Sequence, residues 1–81
     1  MTINVQLFAR ARDLAGADRV ALELSATGRV RELRDELARR CPPLAAVAST
    51  LLVAVDNQYA ADELLLDPQA EVACFPPVSG G

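Results

Sequence analysis

The chain has no histidine and no tryptophan, two cysteines, and only three aromatic residues, Phe8, Tyr59 and Phe75. Without histidine, neither a Ser-His nor a Cys-His dyad can be built. Cys41 and Cys74 lack C-x-x-C spacing, so the usual zinc sets are excluded and no metal is expected. Cys41 falls at the end of a helical pattern and Cys74 inside an apolar strand pattern, which reads as packing rather than nucleophilic chemistry. No apolar run approaches the ~18 residues of a membrane helix, and the first residues lack the basic-then-apolar pattern of a leader. A soluble, cytoplasmic protein with no membrane partner is therefore expected. The net charge is −3, from 8 basic and 11 acidic residues with no basic tract. Nucleic-acid binding needs clustered cations to displace counterions, so that class is excluded too. A chain so short of catalytic side chains is not expected to be an enzyme on its own or to bind a cofactor.

The apolar residues that are present, 52% of 81, suffice for one small core. Residues 2–8 alternate, with Ile3, Val5 and Leu7 on one face and Thr2, Asn4, Gln6 and Phe8 on the other, as in a half-buried strand. A short helical turn over residues 9–16 ends at Gly16. A second alternating strand, 19–24, carries Val20, Leu22 and Leu24 on its inner face. Residues 25–28 form a turn with Thr27 as the expected helix cap. The main helix runs from Arg29 to about Arg40, with Val30, Leu33 and Leu37 as its apolar stripe. Its arginines alternate with Glu32, Asp35 and Glu36, which reads as a solvated face holding Asp35–Arg39 and Glu36–Arg40 pairs. Pro42-Pro43 stops the helix, and a further helical turn is expected within residues 44–50. Residues 51–55 are a continuous apolar strand, 56–58 a turn, 59–61 a short edge strand, 67–69 a turn and 71–75 the last strand.

This order predicts an α+β domain over residues 1–75, a mixed sheet of about five strands with one main helix packed on one face. By fold analogy it is the β-grasp arrangement, in which the first and last strands are central neighbours. Strand parity then puts Phe8 and Phe75 together on the sheet face away from the helix, an expected protein-docking patch. Residues 76–81, Pro-Pro-Val-Ser-Gly-Gly, follow as a tail. Pro76 and Pro77 cannot continue a central strand and form a stiff spacer. Gly80 and Gly81 have no Cβ and suit a narrow slot. Read alone, a Gly-Gly ending is more simply an unengaged chain end.

Phe75-Pro76-Pro77-Val78-Ser79-Gly80-Gly81 resembles the ending of the ubiquitin-like sulfur-carrier subunits of molybdopterin synthase. The strand ending Leu7-Phe8-Ala9, the following Arg12-Asp13-Leu14-Ala15-Gly16, and Leu51-Leu52-Val53-Ala54-Val55 with its Asn/Gln turn are similar to the same family. The resemblance implies a β-grasp fold and a carrier role in molybdenum cofactor biosynthesis. An activating, ubiquitin-activating-like adenylyltransferase would use ATP to adenylate the Gly81 carboxylate, and a desulfurase system would supply sulfur to leave 1-thioglycine at Gly81. The thiocarboxylate would then enter the large subunit of molybdopterin synthase and donate sulfur to cyclic pyranopterin monophosphate, building the dithiolene. Gly80 would let the slot close, Val78 and Ser79 would contact it through the main chain, and Pro76 and Pro77 would set the reach. Phe8, Tyr59 and Phe75 would be docking anchors, although Tyr59 stands where the family resemblance implies an aliphatic residue. The implied assembly is a heterotetramer with two carriers at opposite ends of a large-subunit dimer. Sulfur carriers of thiamine or cysteine synthesis, a ubiquitin-like protein modifier, and a β-grasp interaction module with an inert tail are the alternatives.

Overall fold

The computed structural model describes residues 1–77. Val78, Ser79, Gly80 and Gly81, and the roles expected of them, lie outside the described residues. The alternation of the first strand is realised in β1, Thr2–Leu7, where Ile3, Val5 and Leu7 are buried and Thr2, Asn4 and Gln6 exposed. Helix α1 spans Ala9–Ala15 and ends at Gly16, whose φ of 73° is the left-handed cap that favours glycine. β2 is Arg19–Glu23, α2 is Val30–Arg40, and a 3-10 turn follows over Pro42–Leu44. β3 is Leu52–Val55, β4 is Gln58–Tyr59 and β5 is Val72–Phe75.

The sheet order is β2-β1-β5-β3-β4. β1 and β5 are parallel central neighbours, and the other three pairings are antiparallel. This is the β-grasp topology expected from the element order. Asp56 and Asn57, with φ of 51° and 70°, make the two-residue turn joining β3 to β4. Positive φ at both positions gives the hairpin the twist its strands need, and Asp and Asn tolerate it better than other side chains.

One face of the sheet is covered by α2 through Val30, Leu33 and Leu37, all essentially inaccessible. They pack in a cluster with Ile3, Val5, Leu7, Leu22, Val53, Val72 and Cys74. Each fully buried Leu or Val contributes about 1.5–3 kcal/mol of transfer free energy, which makes this face the main source of stability.

The start of α2 departs from expectation. Arg29, not Thr27, is the N-cap, and no side chain caps the helix. The amides of Val30 and Arg31 donate instead to the carbonyls of Leu64 and Asp62, at 3.0 Å each, while Leu66 N–H donates to Gly28 O at 2.9 Å. A segment remote in sequence thus satisfies the helix's first two donors, and with Arg29 at the cap position Thr27 lies outside the helix start. Ser25 donates from its amide and hydroxyl to the Glu32 carboxylate, at 2.8 and 2.9 Å, and these bonds hold that carboxyl below its usual range.

The ion pairs differ as well. The Asp35–Arg39 and Glu36–Arg40 pairings are replaced by an Arg39–Glu36 contact at 3.6 Å, Arg31–Glu63, and Arg34–Asp62 at 2.8 Å. Arg34 is not on a solvated face: its side chain is only 16% exposed. Its Nη1 donates to the carbonyls of Ala48 and Leu51, at 2.8 and 2.6 Å. Side chains on α2 reach across to the 48–51 and 62–63 loops because those backbone groups need donors and Asp62 and Glu63 supply opposite charge.

Candidate functional site

The uncovered face of the sheet is built by register. Arg19 lies opposite Gln6, Gln6 beside Ala73, Ala73 opposite Ala54, and Ala54 opposite Tyr59, a row crossing all five strands. The next row sets Leu52 opposite Phe75. Because paired residues share a face, these side chains point away from α2. Two alanines at the centre leave the middle of the face low. The result is an open concavity of about 700 Å³ whose wall includes Gln6, Phe8, Arg19, Tyr59, Glu71 and Phe75.

Phe8 is placed by a chain reversal. The strand conformation continues through it (φ −123°, ψ 154°), and its N–H donates to Cys74 O at 3.2 Å, extending the β1–β5 pairing by one residue. Ala9 then takes φ of 53°, left-handed for a residue with a Cβ, which costs about 1 kcal/mol. The chain turns there into α1 and leaves the Phe8 ring on the open face, 40% exposed. It stacks on Phe75 with centroids 4.8 Å apart and planes 9° from parallel. The aromatic patch expected from parity is therefore present for Phe8 and Phe75. Tyr59, 74% exposed on β4, lines the same concavity from the far side.

Leu52 was hidden from sequence reasoning. It sits in an all-apolar run without alternation, so no face could be assigned until its pairing with Phe75 was known. Gln6 and Arg19 lie in alternating strands, where a polar residue on the outer face carries no mark of a site. Beyond Phe75 the strand pairing ends, with Pro76 half-buried and Pro77 exposed. Neither has an N–H to give to β1 or β3. The tail therefore starts beside the stacked rings.

Both cysteines are core residues. Cys74 lies beside Leu7 and opposite Val53, is inaccessible, and has its thiol pushed up to about 11 by burial, against a smaller opposing effect of Arg34. Burial also raises the Cys41 thiol, with Arg40 opposing. Thiols held protonated and out of solvent are poor nucleophiles. Among the described residues, no three His, Cys, Asp or Glu side chains come together as a metal site, and no helix is long and apolar enough to cross a membrane.

A β-grasp sheet with one covered face, one open face carrying stacked aromatics and a Pro-Pro exit beside them defines a small ubiquitin-like protein. The chain belongs to the ThiS family, whose sequence pattern matches residues 5–81. It is 35% identical over 79 residues to the molybdopterin synthase sulfur carrier subunit of Arabidopsis thaliana, covering 98% of this chain and 82% of that one. Among solved structures, it resembles a putative molybdopterin converting factor subunit 1 from Pyrococcus furiosus, with TM-score 0.85, 30% identity, and coverage of 96% and 99% of the two chains. SAMP1 from Haloferax volcanii superimposes with TM-score 0.88 at 26% identity, covering all of both chains.

Proposed function

We propose that the chain is the sulfur carrier of a molybdopterin synthase, working in the cytoplasm, with the acyl group of Gly81 as its chemical end. It is not an enzyme on its own: it carries the reacting atom, and the acid, base and phosphate-binding groups come from its partners. A carboxylate is a poor acyl donor, so an adenylyltransferase first joins it to AMP and releases pyrophosphate from ATP. A persulfide sulfur then displaces AMP, and a thiol reductively releases the thiocarboxylate on Gly81. The large subunit would grip the Phe8–Phe75 face while the tail enters its active site. There the thiocarboxylate sulfur attacks a side-chain carbon of the cyclic pyranopterin, the oxygen on that carbon departs as water or as the freed phosphate oxygen, and water cleaves the acyl–sulfur bond to return the Gly81 carboxylate. Two such donations build one dithiolene, so each active site must receive a second charged carrier after the first is spent; the expected assembly is a heterotetramer with one carrier at each end of a large-subunit dimer.

The observation that carries this reading is the seven-residue ending from Phe75 to Gly81 rooted in the Phe8–Phe75 stack. A second reading, a protein modifier joined to lysines, is supported by the likeness to SAMP1. Both readings share adenylation and diverge at the acceptor. The test is mass spectrometry of the tail peptide after incubation with ATP, an activating enzyme and a sulfur source, followed by addition of large subunit and pterin. Peptide data are needed because replacing oxygen by sulfur has nominally the mass change of oxidising Met1. Sulfur on Gly81 that disappears as dithiolene forms is expected. Isopeptide conjugates without dithiolene would favour the modifier. A tail left untouched while a control carrier is charged would remove both readings.

A further inference from the structure

β2 is an edge strand, and its free side is complementary to its own reverse. Met1 and Leu24 exchange hydrogen bonds, Met1 N to Leu24 O at 2.6 Å and Leu24 N to Met1 O at 2.8 Å, and Leu7 N donates to Asp18 O at 2.9 Å. Bonded pairs alternate along an antiparallel ladder, so Val20 and Leu22 also turn their backbone groups toward β1. The N–H and C=O groups of Arg19, Ala21 and Glu23 therefore point out of the sheet. None of them has a partner among the described residues.

The opposite edge, β4, is only two residues long, whereas β2 offers five with no proline. Short strands, prolines and bulges are how sheets usually blunt an edge, and here only the charges at its two ends are present. Those charges have opposite sign. Arg19 begins the strand, Glu23 ends it, and Ala21 lies midway. The other edge of the sheet gives no comparable pattern.

We infer that β2 pairs antiparallel with β2 of a second copy, about a two-fold axis through Ala21. In that register every outward residue meets an outward residue: Arg19 faces the second copy's Glu23, Ala21 faces Ala21, and Glu23 faces Arg19. Three hydrogen-bonded pairs form, and two oppositely charged pairs lie on the open face of the joined sheet. On the covered face, half-buried Val20 gains the second copy's Leu22 as its neighbour. A slip by two residues preserves the bonding parity but sets each charge opposite an uncharged residue, Ala17, Ala21 or Ser25. A parallel pairing would bring like charges together. Register and direction are thus specified by the charges, and the occupant is specified by the self-complementarity. Phe8 and Phe75 lie on β1 and β5 side of the seam and stay uncovered, so the pairing does not depend on the proposed sulfur-carrier role.

The edge contact is small, so association is to be measured by sedimentation equilibrium on the full chain up to about 1 mM, where even a Kd of that size populates the pair. Amide exchange is followed on the same samples. The expected result is a monomer–dimer equilibrium with concentration-dependent protection of the Arg19, Ala21 and Glu23 amides; those of Val20 and Leu22 are protected at every concentration. Arg19→Glu and Glu23→Arg should each weaken the pair at least tenfold, and the double exchange should restore it. Ala21→Pro removes only an outward donor, so it should abolish dimerisation while leaving the circular dichroism spectrum unchanged. A chain that is monomeric at about 1 mM overturns the inference. So does a dimer that survives Ala21→Pro, or one whose protection maps to Phe8 and Phe75 instead of β2.

Discussion

Truncating the stacked rings should separate docking from folding. Phe8 is 40% exposed, so Phe8→Ala gives up only part of the burial of a phenylalanine, about 1–2 kcal/mol out of the ~1.5–3 kcal/mol for full burial. The offset stack with Phe75 adds a coupling of about 0.5–1.5 kcal/mol. Since each kcal/mol moves the Tm of a domain this size by about 4–8 °C, the single variants should remain folded well above room temperature. Binding should suffer more. A central aromatic anchor contributes at least about 2 kcal/mol, roughly thirtyfold in Kd for the large subunit. Because Phe8 offers no side-chain cap to α1, the substitution removes the ring without unpairing a helix end.

The assay is a double-mutant cycle of Phe8→Ala, Phe75→Ala and the pair, read by urea unfolding and by calorimetric titration with the large subunit. In stability, the double variant should lose less than the sum of the singles, by the stacking coupling. In binding, each single should already be severe, with the double little worse, since one ring positions the other. If the Kd stays within threefold while stability drops by the full core value, the rings are structural and the open face is not the docking surface.

Two further outcomes follow from groups the sequence did not distinguish. Arg34→Met keeps the length of the side chain but leaves the Ala48 and Leu51 carbonyls and Asp62 without their donor, so urea unfolding should show a loss of about 2–4 kcal/mol. Arg31→Met, which breaks the exposed pair with Glu63, should change stability by no more than about 0.5 kcal/mol. The Cys74 thiol, raised from the ordinary 9.0 to about 11, is protonated longer in the folded chain than in the unfolded one. Its contribution is fully present below pH 9.0 and is lost as pH climbs toward about 11. Stability measured across that window should decline, and Cys74 should resist alkylation near neutral pH until urea unfolds the chain.

How far the sequence could be read depended on whether a residue's neighbours were close in the chain. Ile3, Val5 and Leu7 alternate and Val30, Leu33 and Leu37 repeat at helical spacing, so their faces followed from local periodicity alone. Phe8 and Phe75 were placed together by parity plus a fold analogy for β1 beside β5, and the register bears this out. The cap of α2 was illegible because the groups that satisfy it are carbonyls at 62 and 64, and a carbonyl has no residue-type signature. Arg34 was misread for a related reason. Its position among charged neighbours is that of a solvated residue, and only the return of the 48–51 loop buries it. Leu52 was missed because an unbroken apolar run has no parity to read.

The placement of Phe8 and Phe75 also ties recognition to reach. The Phe8 amide bonds to Cys74 O, and Phe75 ends the strand from which Pro76 departs. A protein that grips the two rings therefore fixes the position and direction of the tail's first residue through a single strand pairing. From there, six residues of extended chain span at most about 20 Å, and a proline-led start keeps the first part near that limit. On the proposed carrier reading, the acceptor site for Gly81 should lie within about 20 Å of the pocket that receives the rings. A loose linker of the same length would average a much shorter end-to-end distance and spread its end over a volume, lowering the effective concentration at any one point. If the chain is the carrier we propose, docking on a face continuous with the tail's root, followed by a stiff spacer, would set where its terminal group reacts.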